Sequence, residues 1–167
     1  MCRGVYVAPT AGTAGTSLGT MNGLLKIVAD QITATALTPI ATGTIAASTG
    51  LDKFETFADG IDPKYSGKGG VIFCSKTLER YYKSDYRATF GATNDQAAKN
   101  QTKLDHYNIE IVGLEGFATS SRMVFVQKGN LLGLYDKIFT PSTFQVQQDK
   151  RDVILMSDWH IGVGLNT

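Results

Sequence analysis

The chain has 167 residues, of which 43% are hydrophobic and 19% charged, so it is long enough for one well-buried domain and short for two. Sixteen Lys and Arg against fifteen Asp and Glu give a net charge of +1, which supplies no strong field for attracting nucleic acid or an anionic membrane. The 18 glycines have no three-residue period and 10% of the residues are aromatic, which excludes collagen-like and disordered chains.

The cysteines and the apolar runs exclude further classes. Cys2 and Cys74 are far apart and have no neighbouring ligand at metal-site spacing, so we expect no zinc site, no disulfide framework and a reducing, intracellular setting. The longest apolar runs are about five residues, far below the roughly twenty of a membrane span. Met1 to Val7 has no apolar stretch of signal-peptide length, and we expect no membrane partner.

The first predicted elements come from the N-terminal third. Residues 1–20 are mostly Gly, Ala, Thr and Ser and are expected to be a flexible lead-in to a single domain over residues 21–167, with Val5 to Val7 as a candidate short strand. A possible cap at Thr20 and apolar residues at three-and-four spacing predict a helix from Met21 to Gln31. The Thr-rich segment Thr33 to Thr49 is expected to be a connector.

A helix–strand–helix pattern follows. A second helix is predicted from a cap at Thr49, an end at Gly60 and an apolar stripe of Leu51, Phe54, Phe57 and Ile61. After the glycine-rich segment Ser66 to Gly70, which is expected to be flexible, the run Val71 to Cys74 is typical of a strand buried on both faces. Ser75 then caps a third helix, Lys76 to about Tyr86, with Leu78 and the tyrosines on one face and a Glu79–Lys83 pair.

The C-terminal half is predicted to be mainly β-structure. The polar stretch Gly91 to Lys103 has no hydrophobic period and is expected to be an exposed loop. Strand-like runs then follow at Ile109 to Leu114, Arg122 to Gln127, Leu131 to Tyr135, Phe144 to Val146 and Val153 to Trp159. Turns at Lys128 to Asn130 and at Asp149 to Asp152 predict antiparallel hairpins.

Two catalytic motifs are present only in part. Gly15 to Gly19 has the spacing of a hydrolase nucleophile elbow with Ser17 as nucleophile, but no strand-like run precedes it. His106 and His160 are candidate bases, although neither has a carboxylate and a nucleophile arranged nearby in sequence. Ser66 to Gly70 resembles part of a phosphate loop but precedes a strand instead of following one. We therefore predict no catalytic residue, no cofactor and no metal site.

The order of the parts resembles a known family. Three blocks carry the resemblance: GLLKIVAD at Gly23 to Asp30, VIFCSKTLERYYKSDYR at Val71 to Arg87, and NIEIVGLEGFATSSRMVFVQKGNLLGLYD at Asn108 to Asp136. The last block has a strand, a short loop, and a second strand ending in a Lys-Gly-Asn-Leu turn. From Gly23 onward the chain is similar to the C-terminal part of a tailed-bacteriophage major capsid protein with the Hong Kong 97-type shell fold, and its closing segment FQVQQDKRDVILMSDWHIGVGL is similar to the family's final strands.

The resemblance implies a fold and a function. The expected fold is an α+β fragment of the Hong Kong 97-like fold, comprising the axial domain and part of the peripheral domain, with helices around a β-rich C-terminal half. The expected function is that of a structural capsid subunit, not an enzyme, whose partners are other copies of itself, with no specific nucleic acid. It would be found in the virion capsid and, during assembly, in the host cytoplasm. The family's arm, extended loop and spine helix have no counterpart here, so we expect a fragment of a larger protein or a truncated gene product.

A basic, tyrosine-bearing helix is the candidate for subunit contacts. Arginine side chains make planar, bidentate contacts and tyrosines offer rigid amphipathic area. The candidate contact residues are Arg80, Tyr81, Lys83, Tyr86 and Arg87, and the acidic surface that they would meet is not identified by sequence. Two other functions remain open: a small serine hydrolase that uses Ser17, and a non-catalytic ligand-binding α+β module that uses the same helix.

Overall fold

The computed structural model describes residues 2–8, 17–19, 21–91, 102–104, 107–135, 144–149, 152–157 and 161–165, with the backbone alone described for residues 17, 134–135, 144–149, 152–157, 161–162 and 165. The described part is a mixed α+β structure, as predicted. Its helices are α1 (Leu24–Thr33), α2 (Gly50–Asp59), α3 (Pro63–Ser66) and α4 (Lys76–Phe90), with 3₁₀ turns at Ser17–Gly19 and Glu115–Phe117. Its strands are β1 (Gly70–Ser75), β2 (Lys103–Leu104), β3 (Ile109–Leu114), β4 (Val124–Val126), β5 (Leu131–Tyr135), β6 (Phe144–Asp149), β7 (Asp152–Ser157) and β8 (Ile161–Leu165).

The centre of the fold is a four-stranded sheet with the order β2-β3-β1-β4. β1 and β3 are parallel, with Ile72 opposite Ile111, and the connection between them contains α4. β4 runs antiparallel along the other edge of β1, with Phe125 opposite Ile72. The run predicted as a buried strand, Val71 to Cys74, therefore forms the interior of β1, which has a strand on each side.

Alternation along the strands divides the core into two layers. On one face, β1 and β3 pack against α2 and α4 in a cluster of buried residues that comprises Leu51, Phe54, Phe57, Ala58, Ile61, Ile72, Cys74, Leu78, Tyr82, Tyr86, Leu104, Ile109 and Ile111. On the other face, a smaller cluster comprises Leu24, Phe117, Val124 and Val126, with Phe73 packed against it. The predicted stripe of α2 is buried in the first cluster.

The start of α1 differs from the prediction. The helix begins at Leu24, three residues after the predicted start, and its N-cap is Gly23, without a side-chain cap, instead of Thr20. The N-terminal segment runs past this position: the Gly23 amide donates to the Gly4 carbonyl at 2.7 Å, and the Leu25 amide donates to the Cys2 carbonyl at 3.0 Å. A Cβ atom at Gly23 would lie 2.7 Å from the Gly4 nitrogen, so glycine permits this close approach.

The helix α4 is longer than predicted. It continues to Phe90 and ends at Gly91, whose φ of 76° lies in the region that favours glycine. Tyr82, Tyr86 and Phe90 stand four residues apart, with ring centroids 6.0 Å and 4.7 Å apart in succession. This aromatic row continues past the predicted end and supports the last turn of the helix.

The C-terminal strands form two separate ladders. β6 and β7 pair antiparallel across Asp149 and Asp152, which confirms the second predicted hairpin. The first predicted hairpin is wrong: the turn exists, with the Asn130 amide donating to the Gln127 carbonyl at 3.1 Å, but β4 pairs with β1 while β5 pairs with β8. The predicted run Val153 to Trp159 corresponds to β7 as far as Ser157, while Asp158 and Trp159 lie outside the described residues. β8 is an additional strand.

The connections between the elements agree with the predictions in part. Residues 34–49 contain no helix until α2 begins, which confirms the connector. The segment after α2 contains the short helix α3, whose N-cap Asp62 accepts from the Lys64 amide at 2.8 Å. Most of the predicted loop Gly91 to Lys103 lies outside the described residues, while Lys103 pairs in β2. Among the described residues, no helix combines the length and the apolar character that crossing a bilayer requires.

Candidate subunit interface

Helix α4 is held in place by its cap and by its buried side. The Ser75 hydroxyl, at the end of β1, accepts a hydrogen bond from the Leu78 amide at 3.4 Å, which confirms the predicted cap. Leu78, Tyr82 and Tyr86 point from the helix into the core. The Tyr82 hydroxyl donates to the Lys103 carbonyl at 3.0 Å and so ties the helix to β2.

The opposite side of α4 is basic. Arg80 and Arg87 are exposed, and Lys83 is half-buried in an ion pair with Glu79, as predicted from their spacing. A shallow groove of about 540 Å³ runs along this side, lined by Arg80, Lys83, Ser84, Arg87 and Ala88. The small side chains of Ser84 and Ala88 leave the guanidinium groups accessible from outside. We call the surface formed by Arg80, Lys83 and Arg87 the basic face of α4.

The five candidate contact residues therefore have different surroundings. Arg80 and Arg87 lie on the basic face, and the Arg80 guanidinium carbon lies 5.8 Å from the centroid of the half-buried Tyr81 ring. Tyr86 is only 5% exposed and belongs to the core beside Tyr82. Its ring is covered by its own chain, so Tyr86 offers almost no side-chain surface to a partner.

Helix α2 lies beside α4 on the same face of the sheet. A Cβ atom at Gly50 would lie 2.7 Å from the Tyr81 carbonyl oxygen, so the first turn of α2 approaches the α4 backbone closely. The Leu51 amide donates to a carboxylate oxygen of Asp85 at 2.9 Å. The cap of α2 is therefore supplied by α4 and not by Thr49, whose hydroxyl instead accepts from the Ala46 amide at 3.1 Å.

The outer side of α2 is acidic. Asp52 and Asp59 are exposed. Glu55, which lies between them in the sequence, is half-buried. The Tyr107 hydroxyl donates to Asp59, and this hydrogen bond, with smaller effects of burial and of the Asp59 and Glu55 charges, raises the pKa of Tyr107. We call the surface formed by Asp52, Glu55 and Asp59 the acidic face of α2. This face was not predicted from the sequence, although its charges recur at helical spacing.

Elsewhere, α4 is joined to the loop after β3. The Lys76 ammonium lies 2.7 Å from a Glu115 carboxylate oxygen. This hydrogen bond raises the pKa of Lys76 and lowers the pKa of Glu115. Both side chains are exposed, so solvent screens the pair and its contribution to stability is small.

Comparison with known proteins gives no relative for this arrangement. No protein-family model, curated protein or solved structure matches the chain.

The catalytic motifs considered from the sequence are not assembled in the described residues. Ser17 begins a three-residue 3₁₀ turn that ends at Gly19, and the next helix starts only at Leu24, so no helix follows Ser17 directly as a nucleophile elbow requires. His106 and His160 lie outside the described residues. The segment Ser66 to Gly70 leads into the start of β1, which confirms that it has the wrong order for a phosphate loop.

Three other features bear on where a site could lie. A groove of about 500 Å³ beside the start of β1 is lined by Lys68, Gly69, Gly70, Val71, Phe73, Asn108, Val126, Gln127, Lys128, Gly129 and Leu131. Burial, assisted by the negative charge of Glu79, raises the pKa of the Cys74 thiol to about 12, which makes it a poor nucleophile near neutral pH. In the described ranges, no three His, Cys, Asp or Glu side chains are placed to hold a metal ion.

Proposed function

We propose that the chain is a structural subunit of a tailed-bacteriophage-type protein shell that associates with other copies of itself. The observation that carries the proposal is the block Asn108 to Asp136, which resembles the major capsid proteins and has the element order that this resemblance implies. β3 is followed by a loop with a 3₁₀ turn, then by β4, then by the turn at Lys128 to Asn130, and then by β5. Gly129 in that turn has a φ of 94°, which favours glycine.

The terminal ladders support self-association. β5 pairs with β8 and β6 pairs with β7, and among the described strands each of these four has a single neighbour. A two-stranded ladder is marginally stable alone, and its outer edges present main-chain donors and acceptors to another chain. Leu131 and Leu132 in β5 are 40% and 47% exposed, which adds apolar surface next to such an edge. In this proposal the chain supplies the axial domain and part of the peripheral domain of the shell.

The proposal places the protein in the virion capsid and, before assembly, in the host cytoplasm. The test is the composition of particles purified from the source of the sequence by density-gradient centrifugation. We expect peptides of this chain to be among the most abundant in the particle fraction, and antibodies against the chain to label particle shells in electron micrographs. Abundant chain in the cell extract with none in purified particles would refute the proposal.

The hydrolase alternative has a separate test. We expect no turnover of generic p-nitrophenyl esters above the level of a Ser17→Ala variant, because no nucleophile elbow is formed at Ser17. Ester hydrolysis that disappears in the Ser17→Ala variant alone, with the variant still folded, would make the hydrolase the better explanation.

A further inference from the structure

We propose that the basic face of α4 in one copy of the chain binds the acidic face of α2 in the next copy. The inference rests on the proposed self-association and adds the two surfaces that meet. The sequence suggested the basic surface, and the structure supplies the acidic one by placing α2 beside α4 in the same helical layer.

The two faces match in spacing. Arg80, Lys83 and Arg87 stand at positions i, i+3 and i+7 of α4, and Asp52, Glu55 and Asp59 stand at the same intervals in α2. In each helix the outer charges are two turns apart, about 10 Å along the axis. When two helices pack side by side, charges at equal intervals can face each other along the whole contact. All three charges face each other when the two helices pack in parallel. When they pack antiparallel, the middle charges are offset along the axis by about 2 Å.

Apart from Lys83, which pairs with Glu79 in the same helix, the charges of the two faces have no partner of opposite sign among the described residues. The ion pairs among the described residues are Lys26–Asp30, Lys76–Glu115 and Lys83–Glu79, and none of them joins α2 to α4. The carboxylate of α4 that does meet α2, Asp85, accepts from a backbone amide. In the described part of the chain, Arg80 and Arg87 therefore have no carboxylate partner, and Asp52 and Glu55 have no cationic partner.

The arrangement favours a second copy over a nucleic acid. A polyanion that approached Arg80 and Arg87 would also approach the acidic face of the neighbouring helix, which would repel it, and the net charge of +1 adds no general attraction. A second copy carries both signs side by side and so can satisfy both faces. Arginine also binds a carboxylate through two parallel hydrogen bonds, and the shallow groove beside Ser84 and Ala88 leaves room for that approach.

The experiment exchanges the charges of the two faces. Three variants of the full chain are needed: Arg80→Glu with Arg87→Glu, Asp52→Lys with Asp59→Lys, and all four substitutions together. Association is measured by sedimentation velocity at low and high salt, and circular dichroism checks that each variant is folded. The first two variants place like charges opposite each other, so each should weaken self-association about tenfold or more. The fourfold variant restores opposite charges and should associate within about threefold of the wild type.

A matched control separates specific pairing from net charge. Lys64→Glu with Lys128→Glu changes the net charge by the same amount as the Arg80 and Arg87 variant, at exposed positions outside both faces. It should associate like the wild type. Mixing the two exchanged variants should give a complex that neither forms alone, because each supplies the face that the other lacks.

Several results would overturn the inference. They are a fourfold variant that is folded and stays dissociated, an Arg80 and Arg87 variant that associates like the wild type, and a wild type that stays monomeric at every salt concentration. Loss of binding to duplex DNA in the Arg80 and Arg87 variant, with unchanged self-association, would assign the basic face to nucleic acid instead. None of these results bears on the particle-composition test. That test still distinguishes a shell protein that uses another interface from a chain that is not a shell protein.

Discussion

The central sheet has helices on both faces, but the two faces are covered by unequal amounts of buried side chain. Among the described residues, the face under α2 and α4 contributes thirteen buried residues to its cluster, and the face under α1 contributes four. The first face contains Phe54 and Tyr82, whose rings lie 5.2 Å apart. The second is partly covered by the N-terminal segment, which is held by backbone hydrogen bonds such as that from Val5 to the Leu18 carbonyl, at 3.0 Å.

This difference indicates which parts of the molecule are fixed. Stability follows the buried apolar area, so the layer of α2 and α4 should be the last part to unfold and α1 with the N-terminal segment the first. The proposed contact faces belong to the more stable layer. A rigid surface loses less conformational entropy on binding, so this layer is the better platform for association.

The largest effect that we predict is at the centre of the α2–α4 layer. Phe54 is fully buried between the helices and the sheet, so Phe54→Ala should lower the free energy of unfolding by about 3–5 kcal/mol in urea denaturation. Phe90→Ala is the matched control, because Phe90 is 55% exposed at the end of α4, and it should cost less than about 1 kcal/mol. Equal losses for the two variants would contradict the comparison.

The core pattern was largely predictable from the sequence, but the pairing of the strands was not. The stripe of α2 and the run from Val71 to Cys74 follow from local periodicity. A turn at Gly129, in contrast, looks the same whether or not its flanking strands pair with each other. β4 pairs with β1, which is more than fifty residues away in sequence, and local rules carry no information on such a contact.

The second prediction compares the two faces of the central sheet through one glycine substitution on each. Gly50→Ala would place a Cβ atom 2.7 Å from the Tyr81 carbonyl oxygen, and Gly23→Ala would place one 2.7 Å from the Gly4 nitrogen. Gly50→Ala must separate two helices that share a core, so it should cost about 2–3 kcal/mol. Gly23→Ala displaces a segment that is held mainly by backbone hydrogen bonds, so it should cost about 1 kcal/mol. Thermal unfolding of both variants measures the difference, and the reverse order would show that the α1 face is the tighter one.

The third prediction concerns the link between the two helices. Asp85→Ala removes the carboxylate that accepts from the Leu51 amide and should cost about 1–2 kcal/mol, because a charged acceptor at a helix N-terminus is lost. Asp85→Asn keeps an acceptor without the charge and should lose less. Thr49→Ala is the control, because its hydroxyl makes no cap bond with α2. A loss below about 0.5 kcal/mol for Asp85→Ala would show that the helices are joined by packing alone.

The basic residues of the candidate interface were predictable from local sequence, but the contact between α2 and α4 was not, just as the strands were predictable and their pairing was not. Arg80 and Arg87 were predicted as contact residues from their side-chain chemistry, and both are exposed. Tyr86 was predicted with them, but its ring is buried in the cluster between the helices and the sheet, a tertiary contact that local sequence does not show. The acidic face of α2 also has a regular pattern in the sequence. Its relevance comes from the contact between α2 and α4, which is a property of the tertiary structure.

The smallest predicted effect uses Cys74 as a reporter of the layer under α2 and α4. Burial is the main cause that raises the pKa of this thiol from 9.0 to about 12 in the folded chain, so the folded state holds its proton more tightly than the unfolded state does. The stabilisation is complete below pH 9.0 and is lost as the pH rises toward about 12.

Between pH 8 and pH 10 the wild type should therefore lose about 1 kcal/mol more of its unfolding free energy than a Cys74→Ala variant loses over the same interval. Urea denaturation of both proteins at the two pH values gives this difference, and other titrating groups cancel in the comparison. Iodoacetamide labelling followed by peptide mass spectrometry supplies a second measurement, in which Cys74 should be modified only when urea is present. Rapid labelling of Cys74 in the folded chain, together with equal pH dependence of the two proteins, would mean that the layer under α2 and α4 opens readily and that the two faces of the sheet do not differ as proposed.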